Sequence, residues 1–302
     1  MGVLYLGKNF LNDKSDLTAG NEIMPDKKNE STYNTIYQND KEIVYVSQDN
    51  YYVADLDSGK DVVYYCDSAT SCIVIISVGY SEDYKKNLAV VSHLSRPGRF
   101  KDYFSKVEAL FNGEIDIYAA GANPAYPCLK KDGSYDYTAL RNATQVSQWV
   151  SSKSIGQESQ SDSLGSVKIR QASLKFGQGN PSVYNNNLDC YSIACDKNSN
   201  ITVSNDRIYL TEEQRDPTGG VQTLFCMYGN PDLIRNQAES FSDDEIAVLV
   251  KKAHDNNLEQ ASEMTDEEIL NTYSSTPQYE VPWFCDSIRQ AGLFVKTYMK
   301  GM

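Results

Sequence analysis

The chain has 302 residues, of which 40% are hydrophobic and 23% charged, so it can bury a full core and is not a wholly disordered protein. Lys and Arg number 28 against 41 Asp and Glu, which gives a formal net charge of −13. A surface this acidic repels phosphate groups, so we expect neither nucleic acid nor a membrane surface as a partner.

The cysteines and the first residues of the sequence bear on its compartment. The longest apolar run, 72–78, is far shorter than the ~20 residues that a spanning helix needs. The sequence does not start with a basic flank and an apolar stretch, so we predict a cytoplasmic location. Seven cysteines without a Cys-x-x-Cys pair, and two histidines, fit neither a disulfide framework nor a zinc site. We therefore expect no metal, and because the sequence has no phosphate-binding or dinucleotide-binding glycine motif we expect no cofactor.

The first half of the chain predicts a sheet with one covering helix. Residues 1–40 are polar without a sustained period, which predicts an irregular arm. Short runs rich in β-branched and aromatic residues then predict strands at 43–46, 51–54, 62–66, 72–78 and 88–93. Apolar residues spaced by three and four predict a helix over 99–111, and alternation predicts a strand over 114–120. The run 72–78 is apolar on both faces, so we expect it to be a central strand.

The second half begins with strands and ends in helices. Residues 150–166 are mostly polar and of low complexity, which predicts a loop. Further strands are predicted at 167–176, 191–195, 201–203 and 207–210. Two capping boxes, starting at Ser242 and Thr265, predict helix starts, and a third helix is predicted over about 284–299.

This order predicts one α+β domain over 1–302, a layered sandwich of mainly antiparallel sheets covered by helices with a helical C-terminal segment. Within it we expect an irregular arm at 1–40, a strand-rich core at 41–235 and a helical part at 240–300.

The two histidines allow an exhaustive search for a catalytic dyad. His254 lies near the end of a predicted helix, where its positive charge suits the helix dipole. His93 ends the predicted strand that follows the one opened by Cys72, so the two side chains can meet across neighbouring strands. A nearby imidazole can hold a thiolate and later protonate a leaving group, which makes Cys72 and His93 candidate catalytic residues. The alternative, that Cys72 is a small buried apolar residue, stays open at this point.

Two separated parts of the sequence resemble one protein family. The run 66–75, Cys-Asp-Ser-Ala-Thr-Ser-Cys-Ile-Val-Ile, is similar to the Ser-Asp-Asp-Ala-Thr-Thr-Cys-His-Ile-Val run of the eukaryotic-type protein N-terminal asparagine amidohydrolases. The run 91–93, Val-Ser-His, falls where that family has Leu-Thr-His. The run 274–284, Ser-Ser-Thr-Pro-Gln-Tyr-Glu-Val-Pro-Trp-Phe, resembles the family's Ser-Thr-Ser-Pro-Leu-Ala-Glu-Pro-Pro-His-Phe. The resemblance places Cys72 at the family's nucleophile.

The resemblance implies an enzyme that deamidates the N-terminal Asn of proteins or peptides to Asp through a Cys72 thioester, feeding an N-degron type of pathway. His93 would donate and accept the protons. Selectivity for a chain terminus requires a carboxylate or several carbonyl groups that bind the α-ammonium group, and Asp67 and Glu280 are the candidate carboxylates. The hydroxyls of Thr70 and Ser71 are candidates for orienting the substrate.

Two other functions remain open on the sequence. A glutamine deamidase of the chemoreceptor or toxin kind also places a Cys and a His on successive strands. A catalytically inactive relative could bind peptide N-termini without chemistry.

Overall fold

The structure is a computed structural model that describes residues 35–38, 41–129, 133–154, 166–177, 191–205, 208, 218–274, 277, 280 and 284–301. Two mixed sheets stack face to face, and helices cover the free face of one of them. The predicted α+β sandwich with a helical C-terminal segment is confirmed.

The central sheet has six strands. In spatial order these are β10 (Lys168–Phe176), β7 (Glu114–Gly121), β5 (Ile73–Ser81), β6 (Lys86–Leu94), β3 (Asn50–Asp55) and β13 (Arg235–Asn236). The three pairs in the middle of this sheet are antiparallel, and the two pairs that add the edge strands are parallel.

The second sheet has five strands, and a two-stranded ribbon lies apart from both sheets. The five strands in spatial order are β1 (Thr35–Gln38), β2 (Lys41–Tyr45), β4 (Val62–Ala69), β11 (Tyr191–Asp196) and β12 (Ile201–Ser204), and the ribbon consists of β8 (Cys128–Leu129) and β9 (Tyr135–Asp136). The expectation of an irregular arm over 1–40 is wrong at β1, because backbone pairing with β2 orders this segment as an edge strand. Residues 1–34 and 39–40 lie outside the described residues.

The helices are α1 (Pro97–Leu110), α2 (Thr138–Lys153), α3 (Val221–Tyr228), α4 (Asp243–Asp255), α5 (Asp266–Tyr273) and α6 (Phe284–Lys300), with a 3₁₀ helix at Leu258–Glu263. The predictions of α1, α4, α5 and α6 are confirmed, and the capping boxes of α4 and α5 are both complete. Helices α2 and α3 were not predicted from the sequence. Helix α2 ends at Lys153, so the first residues of the segment 150–166, which was predicted to be a polar loop, are helical.

The central strand β5 is covered on both faces, as its sequence predicts. Ile73 and Ile75 belong to the core that the six-stranded sheet shares with α1 and α2. Val74 and Ile76 belong to the core between the two sheets. All four side chains are fully buried. Burying one side chain of this size stabilises a fold by roughly 1.5–3 kcal/mol, so the strand is firmly fixed in its register.

The C-terminal helices enclose a hydrophobic core of their own, which α3, α4, α5, α6 and the 3₁₀ helix share. In the described part of the chain, no helix is both long and apolar enough to cross a membrane. The strand predicted at 207–210 lies outside the described residues except for Ile208, which is in a bend.

Candidate functional site

Cys72 and His93 lie on the same face of the six-stranded sheet. His93 of β6 is directly opposite Val74 of β5, and Cys72 precedes Val74 by two residues. Because side chains alternate along a strand, all three point toward the five-stranded sheet, where Cys72 and Val74 share one core. Residues in this diagonal relation are about 7–8 Å apart at their Cα atoms. Neighbouring strands therefore bring the sulfur and the imidazole to one face, and hydrogen-bond reach between them stays a prediction.

The turn that carries Cys72 is anchored through three successive carbonyl groups. The carbonyl of Thr70 accepts a hydrogen bond from the backbone N–H of Asn123 at 2.7 Å, and that of Cys72 accepts one from Ala122 at 2.7 Å. The carbonyl of Ser71 accepts a bond from the side-chain amide of Asn142 at 2.8 Å. With its acceptors occupied in this way, the turn 70–72 cannot rotate without breaking bonds to the segment that follows β7 and to α2.

Gly121 at the end of β7 permits this close packing. Its φ of 125° lies in a region that L side chains rarely adopt, and a Cβ atom built on it would lie 2.2 Å from the carbonyl oxygen of Cys72. A glycine is therefore required where β7 passes the candidate nucleophile.

The environment of the Cys72 sulfur disfavours a thiolate. The residue is fully buried, and burial raises the pKa of its thiol to about 12. The negative charges of Asp49 and Glu280 raise this pKa further, and a hydrogen bond with the Ser71 side chain lowers it. A catalytic sulfur has to be reachable by its substrate, and Cys72 is sealed from solvent in this structure, because it is packed into the core between the two sheets.

Glu280, whose charge acts on Cys72, is itself buried. Only 2% of the residue is exposed, and burial raises the pKa of its carboxyl group. One oxygen, Oε1, accepts a hydrogen bond from the Ser274 hydroxyl at 2.5 Å. The other oxygen, Oε2, is buried and has no hydrogen-bond partner among the described residues. A buried carboxylate with a free oxygen is suited to receive a cation.

Asp67, the other predicted carboxylate, is fully buried in a different setting. It accepts hydrogen bonds from the hydroxyls of Tyr45 at 3.3 Å, Tyr65 at 2.9 Å and Ser68 at 2.8 Å. Tyr45 and Tyr65 belong to the cluster on the outer side of the five-stranded sheet, whereas the neighbouring Cys66 faces inward. Among the described contacts, none joins Asp67 to Cys72, so its role in binding substrate stays a prediction.

Two charged residues beside the site, Asp49 and Arg99, were not predicted from the sequence. Both side chains are fully buried and form an ion pair with each other. Asp49 lies in the turn between β2 and β3, and its charge acts on Cys72. A turn signal is visible in Gln-Asp-Asn at 48–50, but Arg99 in the first turn of α1 carries no signal that it is buried.

Four further cysteines, among the side chains that the structure describes, show no special activation. Cys66, Cys195, Cys226 and Cys285 are buried free thiols, and burial raises the pKa of each. Among the described residues, no group of three or more His, Cys, Asp or Glu side chains is placed to hold a metal ion. His254 lies at the end of α4, as expected, with Nδ1 3.1 Å from a Glu259 carboxylate oxygen.

A comparison of the sequence with models of known protein families finds no match, and a search of curated proteins finds none either.

Proposed function

We propose that this protein is an amide hydrolase that converts the N-terminal asparagine of proteins or peptides to aspartate, with Cys72 as nucleophile and His93 as acid and base. One observation carries the proposal. Glu280 is a buried carboxylate with an oxygen that has no partner among the described residues, and its charge acts on Cys72. Cys72 precedes Val74 by two residues, and Val74 is the strand partner of His93. The two sequence blocks that resemble the amidohydrolase family thus supply groups to one buried site.

Glu280 gives the proposal its selectivity for a chain terminus. An N-terminal residue carries an α-ammonium group, and this group would neutralise Glu280 and donate a hydrogen bond to Oε2. An Asn inside a chain has a peptide bond at that place and would leave the carboxylate buried without a cation. The cost of an unpaired buried charge therefore discriminates against internal residues.

The substrate's ammonium group also eases ionisation of the thiol. With Glu280 neutralised, one of the two charges that raise the pKa of Cys72 no longer opposes the thiolate. Because burial keeps this pKa high, we expect the thiol proton to pass to His93 as the sulfur attacks the side-chain amide carbon. Backbone N–H groups at the Ser71–Cys72 turn would hold the developing oxyanion.

The proton on His93 then moves to the amide nitrogen. The carbon–nitrogen bond breaks, ammonia leaves, and a thioester joins the substrate to Cys72. Neutral His93 takes a proton from water, whose oxygen attacks the thioester carbonyl. The carbon–sulfur bond breaks, the sulfur regains a proton, and the product begins with Asp. A protein that begins with Asp is the form that an N-degron type of pathway would receive.

The buried sulfur sets one condition on the proposal. Cys72 is fully buried, so the site must open before a peptide terminus can reach it. Local opening of this kind costs less free energy than global unfolding and is common where ligands enter.

The burial and raised pKa of Cys72 favour one other function, the binding of peptide N-termini without chemistry. In that case Glu280 would bind the ammonium group in the same way, and the thiol would only fill space. A glutamine deamidase that acts on internal residues is less favoured, because its substrate offers no cation to Glu280.

Ammonia release from four peptides tests the proposal. They begin with free Asn, with acetylated Asn or with free Gln, or carry an internal Gln. The proposal expects release from the free Asn peptide alone. Release from the internal Gln peptide supports the glutamine deamidase, and binding of the free Asn peptide without release supports the binding protein.

A further inference from the structure

We propose that Asp49, paired with Arg99, is a positioning residue that fixes the end of β6 on which His93 lies. The inference rests on the proposed function, since it assigns a role in the same reaction to a residue that does not itself touch the reacting atoms.

Asp49 binds the chain on both sides of Leu94. Its backbone N–H donates a hydrogen bond to the carbonyl of His93 at 2.6 Å. Its carboxylate accepts bonds from the backbone N–H of Ser95 at 3.0 Å and from the Ser95 hydroxyl at 2.7 and 2.8 Å. One residue therefore ties both the carbonyl before Leu94 and the amide after it, and this fixes the plane of the strand at His93.

Arg99 and the backbone hold Asp49 itself in place. The guanidinium of Arg99 pairs with the Asp49 carboxylate, and both side chains are fully buried. Arg99 also donates to the carbonyls of Phe225 and Asn230 at 3.3 and 3.4 Å. Asp49 has a φ of 63°, a left-handed conformation that costs free energy in a residue with a side chain. The segment 93–95 is thus braced against the end of α3.

An ion pair with both partners buried is a poor way to stabilise a fold. Removing two charges from water costs several kcal/mol per ion, and apolar residues of the same size are often as stable or more so. Here the carboxylate also receives two donors from Ser95, which an apolar residue could not bind. The Asp49–Arg99 pair therefore serves to fix the geometry of the end of β6, next to Cys72 and His93.

The arrangement also joins Ser95 to the turn of Cys72. The side-chain amide of Asn142 donates to the carbonyl of Ser71 at 2.8 Å and to the carbonyl of Ser95 at 3.3 Å. Asp49 and Asn142 therefore hold Ser95 from two sides, and Asn142 holds the Cys72 turn as well. A shift of Ser95 would move His93 relative to Cys72, and a misplacement of about 1 Å can cost on the order of 10²-fold in rate.

Three variants test this inference with the free Asn peptide as substrate. Asp49→Asn removes the charge and leaves Arg99 unpaired. The double variant Asp49→Asn/Arg99→Met removes both charges and so relieves the burial cost. Ser92→Ala is the matched control, because Ser92 is also buried on β6 and loses a hydrogen bond to the Asn50 carbonyl, but precedes His93 and so points to the opposite face of the strand.

We expect Asp49→Asn to lower kcat between about tenfold and a hundredfold with KM changed little, because substrate binding at Glu280 is untouched. The double variant should regain thermal stability but keep the low kcat. Ser92→Ala should keep the kcat of the unaltered protein. A double variant that regains both stability and kcat would overturn the positioning role and leave the proposed function intact. If the unaltered protein does not act on the peptide, the proposed function fails and the inference fails with it.

Discussion

The carboxylate of Glu280 raises the pKa of the Cys72 thiol, although the two residues lie in opposite halves of the sequence. Each residue is almost completely buried, and the influence of Glu280 on Cys72 does not stabilise the fold. An ionised carboxylate that is buried without a cation costs folding free energy. A ligand that brings a positive charge between them would remove this cost, and this is the basis of the first prediction.

We predict that Glu280→Gln stabilises the protein and abolishes selectivity for a free amino terminus. Burial raises the pKa of this carboxyl group, so its ionised form costs stability, and that cost grows as the pH rises through the folded-state pKa. At pH 7 the neutral amide should raise the free energy of unfolding by about 1–2 kcal/mol. Urea unfolding measures the stability, and the ratio of kcat/KM for free and acetylated Asn peptides measures the selectivity.

The control for this prediction is Glu82→Gln. Glu82 is exposed and pairs with Lys85 at 3.1 Å on the surface, where an ion pair contributes little. Its replacement should change neither quantity. A Glu280→Gln variant that is less stable than the unaltered protein would mean that the carboxylate has a cationic partner inside the fold.

We predict that Gly121→Ala destabilises the protein by about 3 kcal/mol or more, since it adds left-handed strain to an overpacking clash. The new methyl group would meet the carbonyl oxygen of Cys72, and φ is already 125°. Gly59→Ala separates the two effects, because φ there is 73° but nothing lies within 4 Å of the added atom. It should cost only about 1–2 kcal/mol. Equal unfolding midpoints for the two variants would contradict the close approach.

We predict that iodoacetamide labels Cys72 faster than it labels the buried cysteines Cys66, Cys195 and Cys226. All of these thiols are protected in the folded protein, and burial raises the pKa of each. If the site opens locally to admit a substrate, Cys72 becomes reactive without global unfolding. Peptide mass mapping over time gives the individual rates. A Cys72 rate equal to the global unfolding rate would show that no such opening occurs.

We predict that stability falls as the pH rises above about 8.5, the ordinary pKa of a cysteine. Burial raises the pKa of Cys72 and of Cys195 to about 12, so these thiols ionise in the unfolded chain before they ionise in the folded one. Their contribution is therefore intact below pH 8.5 and is lost between pH 8.5 and about 12. Each fully buried thiol should subtract about 1.4 kcal/mol per pH unit in that window.

Urea midpoints at pH 7.5 and 9.5 in reducing buffer measure this slope. Cys195→Ala should be less stable at pH 7.5, because it leaves a cavity, yet lose less stability on going to pH 9.5. A midpoint that does not change with pH would contradict the burial of the thiols.

The sequence predicts those parts of the fold whose signals are local. The apolar run of β5 and the capping boxes at Ser242 and Thr265 each carry their own pattern, and all three predictions are confirmed. Helix α2 was missed because it has no start signal, since its N-cap Tyr137 makes no side-chain capping bond, and because several residues that it buries, such as Ala139 and Asn142, are small or polar. The position of α2 depends on tertiary contacts, such as the hydrogen bond from the Asn142 side chain to the carbonyl of Ser71.

The candidate site shows the same division. Cys72 and His93 could be paired from the sequence because they lie on strands that are neighbours both in sequence and in space. The burial of Asp49 and Arg99 could not be predicted, since a charged residue is buried only where a distant partner meets it. The closed state of Cys72 also depends on packing between the two sheets, which no local pattern describes.

The central claim is tested most directly by the mass of an Asn-initiated peptide after incubation with the protein and with its Cys72→Ser variant. Replacing an amide by a carboxylic acid increases the peptide mass by about one dalton. In the proposed mechanism this conversion requires Cys72 as the nucleophile. The account predicts that the protein converts the peptide and that the folded variant does not. Conversion by the Cys72→Ser variant at the rate of the unaltered protein, or conversion by neither, would contradict it.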